Sequence, residues 1–200
     1  MRLYHVRKSR SERITWLCEE IGVPIEIINV DMRNQPSELQ ALNPSHTVPV
    51  LVDGDHAISE SIAALIYIAA LHSPTSLSIG PGESGYADYL QFMVLGEAGL
   101  LAPLDALIRT TFKAPEGEKE NFTTRAIIDK LKRRAKILDQ KLQHSDYLAA
   151  NRFTAADISV AFAVGVAINM LGLKDIYPDS VIAHYERMAA RSAFQKTCTR

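Results

Sequence analysis

The stretch Thr47-Val48-Pro49-Val50-Leu51-Val52 places a proline inside a run of residues that otherwise favours a β-strand. Because proline has no N–H to give to a strand ladder, it belongs at a sheet edge or at the start of a strand. The peptide bond before a proline is also the one whose cis form costs little, roughly 0.5–1 kcal/mol. A kink at Val48-Pro49 would leave the N–H and C=O of Val48 unpaired and facing outward, where they could pair with the backbone of an extended peptide.

A second segment, Ser59-Glu60-Ser61, follows shortly after and opens an apolar helix predicted over 62–72. The N-terminus of a helix presents free N–H groups and a partial positive charge, and both suit a carboxylate. Together the two segments predict a binding site for a short peptide that carries a free carboxylate. A proline at a strand edge followed by an ordinary helix start would give the same residues, so this stretch alone leaves both interpretations open.

The composition is that of a globular chain of nearly balanced charge. Two hundred residues, 47% of them hydrophobic, can bury one large core or two modest ones. The net charge of −1 gives no electrostatic basis for binding nucleic acid or an anionic membrane. The longest apolar stretch, 158–173, is interrupted by polar residues and is short for a bilayer, and the first residues lack the features of a signal segment. We therefore expect a cytoplasmic protein that binds neither nucleic acid nor membrane.

The two cysteines, Cys18 and Cys198, are far apart in the sequence. They form neither a CxxC pair nor a cluster with metal-ligand spacing. We therefore expect no metal and a reducing compartment.

The pattern of predicted elements changes partway along the chain. Before residue 73 the order is β-α-β-α-β-β-α, with elements at 3–6, 11–22, 24–30, 36–42, 50–52, 56–58 and 62–72. Later segments have helical spacing, and Thr154–Asp157 opens a helix that is apolar nearly all round and is expected at the centre of a bundle. The sequence thus predicts an α/β domain over 1–73, a Ser/Pro/Gly-rich linker over 74–85 and an all-helical domain over 86–200.

An ordered set of short motifs runs along nearly the whole chain. It comprises Leu3-Tyr4, Ser9-Arg10-Ser11, Trp16–Gly22, Asn43-Pro44, Thr47–Leu51, Glu60-Ser61, Phe153–Asp157, Tyr177-Pro178 and Ala193–Lys196. Each motif alone is weak, but the ordered set resembles the cytosolic glutathione S-transferase family, and Ser-Arg-Ser followed by Trp-Leu resembles a bacterial and fungal group within it. The resemblance implies a thioredoxin-like N-terminal domain that binds glutathione, and a C-terminal helical bundle that supplies the second substrate's pocket.

The resemblance also assigns the glutathione-binding residues. The backbone of Val48-Pro49, with its proline cis, would pair with the cysteinyl part of glutathione. Ser61 would meet the γ-glutamyl carboxylate, and Glu60 would lie nearer the amine. Thr47 stands where the family often has lysine or glutamine, which puts its contact with the glycyl carboxylate in question. His46 is the alternative partner for that carboxylate, or else an exposed loop histidine.

The chemistry at such a site is activation of the glutathione thiol. A free thiol has a pKa of about 8.5, and a helix N-terminus, a hydroxyl donor or a nearby cation stabilises its thiolate. The resemblance and the position just before the first helix favour Ser9 as the donor, with Arg10 as a fixed positive charge. Tyr4 is the reserve donor, or else packs in the core. Ser11 is expected to be an ordinary N-cap, and the lack of a cysteine here argues against mixed-disulfide chemistry.

These expectations describe a homodimeric glutathione transferase that uses glutathione as co-substrate and attacks small hydrophobic electrophiles. Two kinds of alternative stay open. One is a glutathione-dependent isomerase, peroxidase or dehalogenase. The other is a protein of the same fold that binds ligands or partners without turnover.

Overall fold

The computed structural model describes residues 1–198, which fall into two units. Unit one comprises Met1–Ser78 and the described residues from Ala190 to Cys198, and unit two is Ile79–Ala189. Residues 73–85 contain neither helix nor strand.

Unit one is built on a four-stranded sheet with the strand order β2-β1-β3-β4. Its elements are β1 (Arg2–His5), α1 (Glu12–Ile21), β2 (Glu26–Asn29), α2 (Ser37–Leu42), β3 (Val50–Asp53), β4 (His56–Ile58), α3 (Ser61–His72) and α9 (Ser192–Cys198). Strand β1 is parallel to β2 and antiparallel to β3, and β3 is antiparallel to β4. This order confirms the predicted thioredoxin-like domain.

Both faces of the sheet are covered. Successive strand residues point to opposite faces, so Leu3 and Tyr4 bury their side chains on different sides. Tyr4 packs in a cluster with Leu39 of α2 and with Val50 and Val52 of β3. Leu3 is fully buried as well, so β1 is a central strand with no face exposed to solvent.

The strand register brings several connections to one end of this sheet. Val50 pairs with Tyr4 near the end of β1, and Leu51 pairs with Ile58 at the end of β4. Because β3 is antiparallel to both neighbours, the residues that follow β1, precede β3 and follow β4 lie at the same end. These residues are Val6–Ser11, Thr47–Pro49 and Ser59–Ser61. The segments singled out in the sequence are therefore brought together at one end of the sheet.

The last helix, α9, packs along α1. The rings of Trp16 and Phe194 meet edge to face with their centroids 4.9 Å apart. Arg191 donates two hydrogen bonds to the carboxylate of Glu20, at 2.7 and 2.8 Å. The sequence-based boundary placed residues 86–200 in one helical domain. These contacts group α9 with unit one, and the domain bounds drawn from the sequence stay a prediction.

Unit two has helices as its regular elements. They are α4 (Tyr86–Val94), a π-helical segment (Leu95–Leu101), α5 (Ala102–Lys113), α6 (Phe122–Leu142), α7 (Ala155–Leu171), α8 (Asp179–Ala189) and short 3₁₀ turns at Glu116–Glu118 and Lys174–Ile176. Helix α7 is buried along most of its length and contacts α4, α5 and α8. The predicted helical bundle around a central apolar helix is thereby confirmed.

The start of α7 is fixed by a capping box. The hydroxyl of Thr154 accepts a hydrogen bond from the N–H of Ala156, and the carboxylate of Asp157 accepts one from the N–H of Thr154 at 2.8 Å. Asp157 also accepts from the N–H of Leu148 at 3.0 Å and lies 2.9 Å from Nε2 of His184. All of these groups are buried, so the cap also ties α7 to α8.

The helical run Tyr86–Lys113 is long and apolar enough to cross a membrane by length and composition alone. Core helices of globular proteins pass the same test, and 50% of its most apolar window is buried inside the protein. Within this run, a Cβ on Gly96 would overlap the hydroxyl oxygen of Ser159 on α7. Only glycine allows the two helices to approach this closely.

Candidate functional site

The entrance to β3 has the geometry of an open strand edge. The Val48–Pro49 peptide bond is cis, and β3 begins only at Val50. Among residues 1–198, the N–H and C=O of Val48 have no hydrogen-bond partner. These two groups are therefore available to pair with an extended peptide, although the binding role of Val48 and Pro49 stays a prediction.

The loop before Val48 is held by side-chain amides. Nδ2 of Asn43 donates to the carbonyl and to the hydroxyl of Thr47, at 2.9 and 3.2 Å. The Thr47 hydroxyl also lies 2.8 Å from the hydroxyl of Ser45. His46 is exposed, and its carbonyl accepts a hydrogen bond from Nε2 of Gln35 at 2.9 Å. The Thr47 hydroxyl thus already has hydrogen-bond partners within the loop, while the imidazole of His46 faces solvent.

The start of α3 holds a buried cation beside a hydroxyl. Ser61 is 2% exposed, and its hydroxyl accepts a hydrogen bond from Nη1 of the fully buried Arg13, 3.2 Å away. Glu60 is exposed, and its side chain does not cap the helix. Positive charge therefore lies next to the residue predicted to hold a carboxylate, at a helix N-terminus that favours the same charge.

Arg13 is a residue that the sequence reasoning missed. It stands four residues before Leu17 and next to Ile14, so it shares the buried face of α1. Charged side chains are almost never fully buried unless they are paired. An arginine at a position of α1 with core spacing was therefore the signal that could have identified it.

The segment between β1 and α1 forms a connected set of hydroxyls. The Ser9 hydroxyl donates to the carbonyl of Val6 at 2.7 Å and lies 2.7 Å from the hydroxyl of Ser11. The Ser11 hydroxyl lies 2.8 Å from Nδ1 of His5 and 3.0 Å from the same carbonyl. Arg10, half-buried, stands between the two serines. His5, Ser11 and Ser9 thus form one continuous chain of hydrogen bonds.

Ser11 stands at the N-cap position of α1, as the sequence suggested, but its side chain does not cap the helix. Its backbone already has helical angles, and its side chain makes no cap hydrogen bond. The hydroxyl turns back toward β1 instead, because the His5 imidazole and the Val6 carbonyl offer it buried partners. The expectation of an ordinary cap is therefore wrong.

Two titratable groups of this segment are perturbed by burial. Burial lowers the pKa of His5, and the positive charge of Arg7 lowers it further. Burial raises the pKa of Glu12, although its carboxylate accepts a hydrogen bond from the N–H of Lys8 at 2.7 Å. Both effects on His5 favour its neutral imidazole.

Tyr4 lies on the other face of β1 from His5, since the two residues are adjacent in a strand. It is 1% exposed. Burial raises the pKa of its hydroxyl to about 12, and the carboxylate of Glu38 adds to the effect. This placement is that of a core residue, and the role of Tyr4 as a thiol activator stays a prediction.

The two cysteines offer no activated thiol. Burial raises the pKa of both Cys18 and Cys198 to about 12, far from the range of a reactive thiolate. Within residues 1–198, no group of three or more His, Cys, Asp or Glu side chains is arranged to hold a metal ion. The chemistry available at the sheet end is that of hydroxyls, an imidazole and a buried guanidinium.

Comparison with known families gives two matches. The model of the glutathione S-transferase N-terminal domain matches residues 1–70, and that of the glutathione S-transferase C-terminal domain matches residues 104–196. Glutathione S-transferase 3 of Zea mays is 30% identical, covering 92% of this chain and 86% of its own. Glutathione S-transferase 3 of Schizosaccharomyces pombe is 29% identical, covering 82% and 73%.

Solved structures share the fold over the whole chain. The glutathione transferase URE2P5 from Phanerochaete chrysosporium has a TM-score of 0.85 at 21% identity, covering 99% of this chain and 92% of its own. A sphingomonad glutathione S-transferase complexed with glutathione has a TM-score of 0.83 at 23% identity, covering 100% and 98%. Glutathione S-transferase III in its apo form has a TM-score of 0.80 at 26% identity, covering 99% and 95%.

Proposed function

Because the chain belongs to the glutathione S-transferase family, we propose that it binds glutathione at the sheet end of unit one and activates its thiol for attack on small hydrophobic electrophiles. The observation that carries this proposal is the open backbone of Val48 beside the cis bond to Pro49. The register places it at the same sheet end as the Arg13–Ser61 pair. Among proteins of this fold, the sphingomonad enzyme is complexed with glutathione and URE2P6 with oxidized glutathione.

Different parts of glutathione match different residues at this end of the sheet. Its cysteinyl backbone is an extended strand that can pair with Val48. Its γ-glutamyl carboxylate suits the start of α3, where the Ser61 hydroxyl is backed by the Arg13 guanidinium. The exposed Glu60 carboxylate suits the neighbouring amine. A tripeptide with charges at both ends therefore fits this end of the sheet better than a neutral ligand would.

The loop before Val48 is the part of the site that would bind the glycyl carboxylate of glutathione. The Thr47 hydroxyl already has partners in Asn43 and Ser45. His46 is exposed beside it, with its backbone fixed by Gln35. We therefore assign the glycyl carboxylate to His46 rather than to Thr47.

Ser9 is the residue proposed to donate to the glutathione sulfur, assisted by the charge of Arg10. It precedes the N-terminus of α1, so its hydroxyl and the helix N–H groups can converge on one thiolate. Loss of a single donor to a developing anion slows enzymes by roughly 10²–10³-fold, which sets the expected contribution of Ser9. Tyr4 is disfavoured because it lies in the core cluster.

Titration calorimetry with glutathione, together with turnover of 1-chloro-2,4-dinitrobenzene, tests the proposal. The product of that conjugation, 1-(S-glutathionyl)-2,4-dinitrobenzene, was cocrystallized with URE2P5. Ser61→Ala and Glu60→Gln should weaken glutathione binding, and Ser84→Ala, which removes an exposed hydroxyl from the linker, should not. Absence of glutathione binding by the wild type would contradict the proposal. Binding without turnover of any electrophile would make the chain a binding protein.

We also propose a cytoplasmic homodimer. Leu90 and Val94 stand one turn apart on α4 and are 37% and 56% exposed, so a second copy could cover them. Light scattering should give a dimer mass for the wild type and a monomer mass for Val94→Glu. A monomeric wild type at working concentration contradicts the dimer, and recovery of the protein in the membrane fraction of its cells contradicts the compartment.

A further inference from the structure

His5 ends β1 and is 7% exposed. Its Nδ1 lies 2.8 Å from the Ser11 hydroxyl, which lies 2.7 Å from the Ser9 hydroxyl. Both distances are those of ordinary hydrogen bonds to a hydroxyl. A path of hydrogen bonds therefore joins the imidazole to the serine proposed to meet the sulfur. On the premise of the proposed function, we infer that His5 accepts the proton of the glutathione thiol through Ser11 and Ser9.

The direction of this path depends on the protonation of His5. Each hydroxyl carries one hydrogen, and an imidazole with Nδ1 unprotonated accepts from Ser11. The carbonyl of Val6 is within hydrogen-bond distance of both serines, at 2.7 and 3.0 Å. Rotation of each hydroxyl therefore moves its hydrogen between this carbonyl and the next member of the path. Ser11 can then donate to His5 while Ser9 donates to Ser11.

The proton transfer balances within these residues. The S–H bond breaks and its proton bonds to Oγ of Ser9. Ser9 at the same time passes its own hydroxyl proton to Oγ of Ser11. Ser11 in turn passes its hydroxyl proton to His5, where it forms the N–H bond at Nδ1. The electron pair of the S–H bond stays on sulfur, which becomes the thiolate. With 1-chloro-2,4-dinitrobenzene, the thiolate forms the C–S bond, chloride leaves with the C–Cl electron pair, and His5 returns its proton to water.

The surroundings of His5 hold the imidazole in the neutral form that can accept a proton, and by lowering its pKa they also make it a weaker base. Burial and the charge of Arg7 favour the neutral imidazole, the form that can take up a proton. The other charged side chains near His5 along the chain are Lys8, which is exposed, Arg10, which is half-buried, and Glu12 of α1, which is buried and accepts a hydrogen bond from the N–H of Lys8. Once protonated, His5 adds a positive charge near the new thiolate and stabilises it.

His5 does not touch the sulfur in this scheme, so it must be separated from a residue that merely holds Ser11 in place. Asparagine at position 5 offers an amide close to the position of Nδ1 and can still hydrogen-bond Ser11, but it cannot take up a proton. His5→Asn therefore removes the acceptor and keeps the partner. Ser11→Ala does the reverse, because it keeps the imidazole and interrupts the path.

The experiment measures kcat/KM against pH and the pKa of bound glutathione from its thiolate absorbance, for the wild type, both single variants and the double variant. We expect His5→Asn to lower kcat/KM at neutral pH by about 100-fold, the lower end of the range for a positioned proton acceptor, and to raise the thiol pKa. Ser11→Ala should have an effect of similar size, and the double variant should be no slower than either, because the residues act as one path. The glutathione Kd should stay within about twofold, as expected for groups that act on the proton rather than on the backbone contacts.

Two results would overturn the inference. The first is a His5→Asn protein whose pH profile of kcat/KM and whose thiol pKa are both those of the wild type. The second is a double variant in which the losses of the two single variants add. If His5→Asn does not fold, Ser11→Ala with a wild-type profile overturns it as well. Ser84→Ala is the matched control for loss of a serine hydroxyl. Absence of glutathione binding in the wild type is a different outcome, since it contradicts the proposed function itself.

Discussion

The guanidinium of Arg13 on α1 donates a hydrogen bond to the hydroxyl of Ser61 at the start of α3, across 3.2 Å. Both residues are buried, so this contact locks together the two helices that face the proposed glutathione site. A hydrogen bond from a charged group is stronger than one between neutral groups when it has its usual length of about 2.7–2.9 Å, and this one is longer. In the proposed binding mode, the same contact would orient the Ser61 hydroxyl toward the γ-glutamyl carboxylate.

Arg13→Lys keeps the positive charge but loses the planar donor fork that reaches Ser61. We expect its glutathione Kd to rise on the order of ten- to a hundredfold, because a hydrogen bond to a charged group contributes about 1.5–3 kcal/mol. Calorimetry measures the change, with Arg33→Lys on the exposed surface as control. An unchanged Kd in a folded Arg13→Lys protein would remove Arg13 from the site.

Ser9→Ala should raise the pKa of bound glutathione and slow turnover at neutral pH by roughly 10²-fold or more, because a donor to the thiolate is lost. Tyr4→Phe should leave that pKa unchanged, since Tyr4 lies in the core cluster and its own pKa is raised to about 12. Titration of the thiolate absorbance against pH compares the two. A shift in Tyr4→Phe and none in Ser9→Ala would make this a tyrosine-type site.

Thr154→Ala should lower the free energy of unfolding by about 1 kcal/mol through the lost cap hydrogen bonds, and by more if the buried Asp157 is left with fewer partners. Urea denaturation measures it, and glutathione affinity should stay at the wild-type value. Thr123→Ala, at an exposed position in the first turn of α6, is the control. Normal stability with lost turnover would assign Thr154 to function instead.

The stability of the protein should fall on acidification from about pH 7.5 to about pH 5.5, across the ordinary histidine pKa of about 6.5. Since burial lowers the pKa of His5 in the folded state, the unfolded chain binds more protons in this range, and acid favours unfolding. His5→Asn should therefore lose less stability over the same range, as measured by urea midpoints. His144→Asn, which removes an exposed histidine, should behave like the wild type. Equal losses in His5→Asn and the wild type would contradict this.

Prediction from sequence succeeded where the conformation of a short segment depends only on the residues within that segment. Pro49 marks where β3 starts, because its ring removes a ladder donor, and the structure begins the strand at Val50. Thr154 and Asp157 form the expected capping box, because residues three apart at a helix start face each other. The roles of the proposed site residues go beyond such local rules, so they stay predictions to be tested.

The sequence by itself determined the element order, the entry to β3 and the cap of α7, since each depends on backbone preferences over a few neighbouring residues. Only the tertiary structure decided where Ser11 points, which residue meets Ser61 and which unit holds α9. These contacts depend on strand register and on helix packing. A hydroxyl such as that of Ser11 takes the strongest buried partner within reach, and Nδ1 of His5 comes within reach only once β1 and α1 have packed.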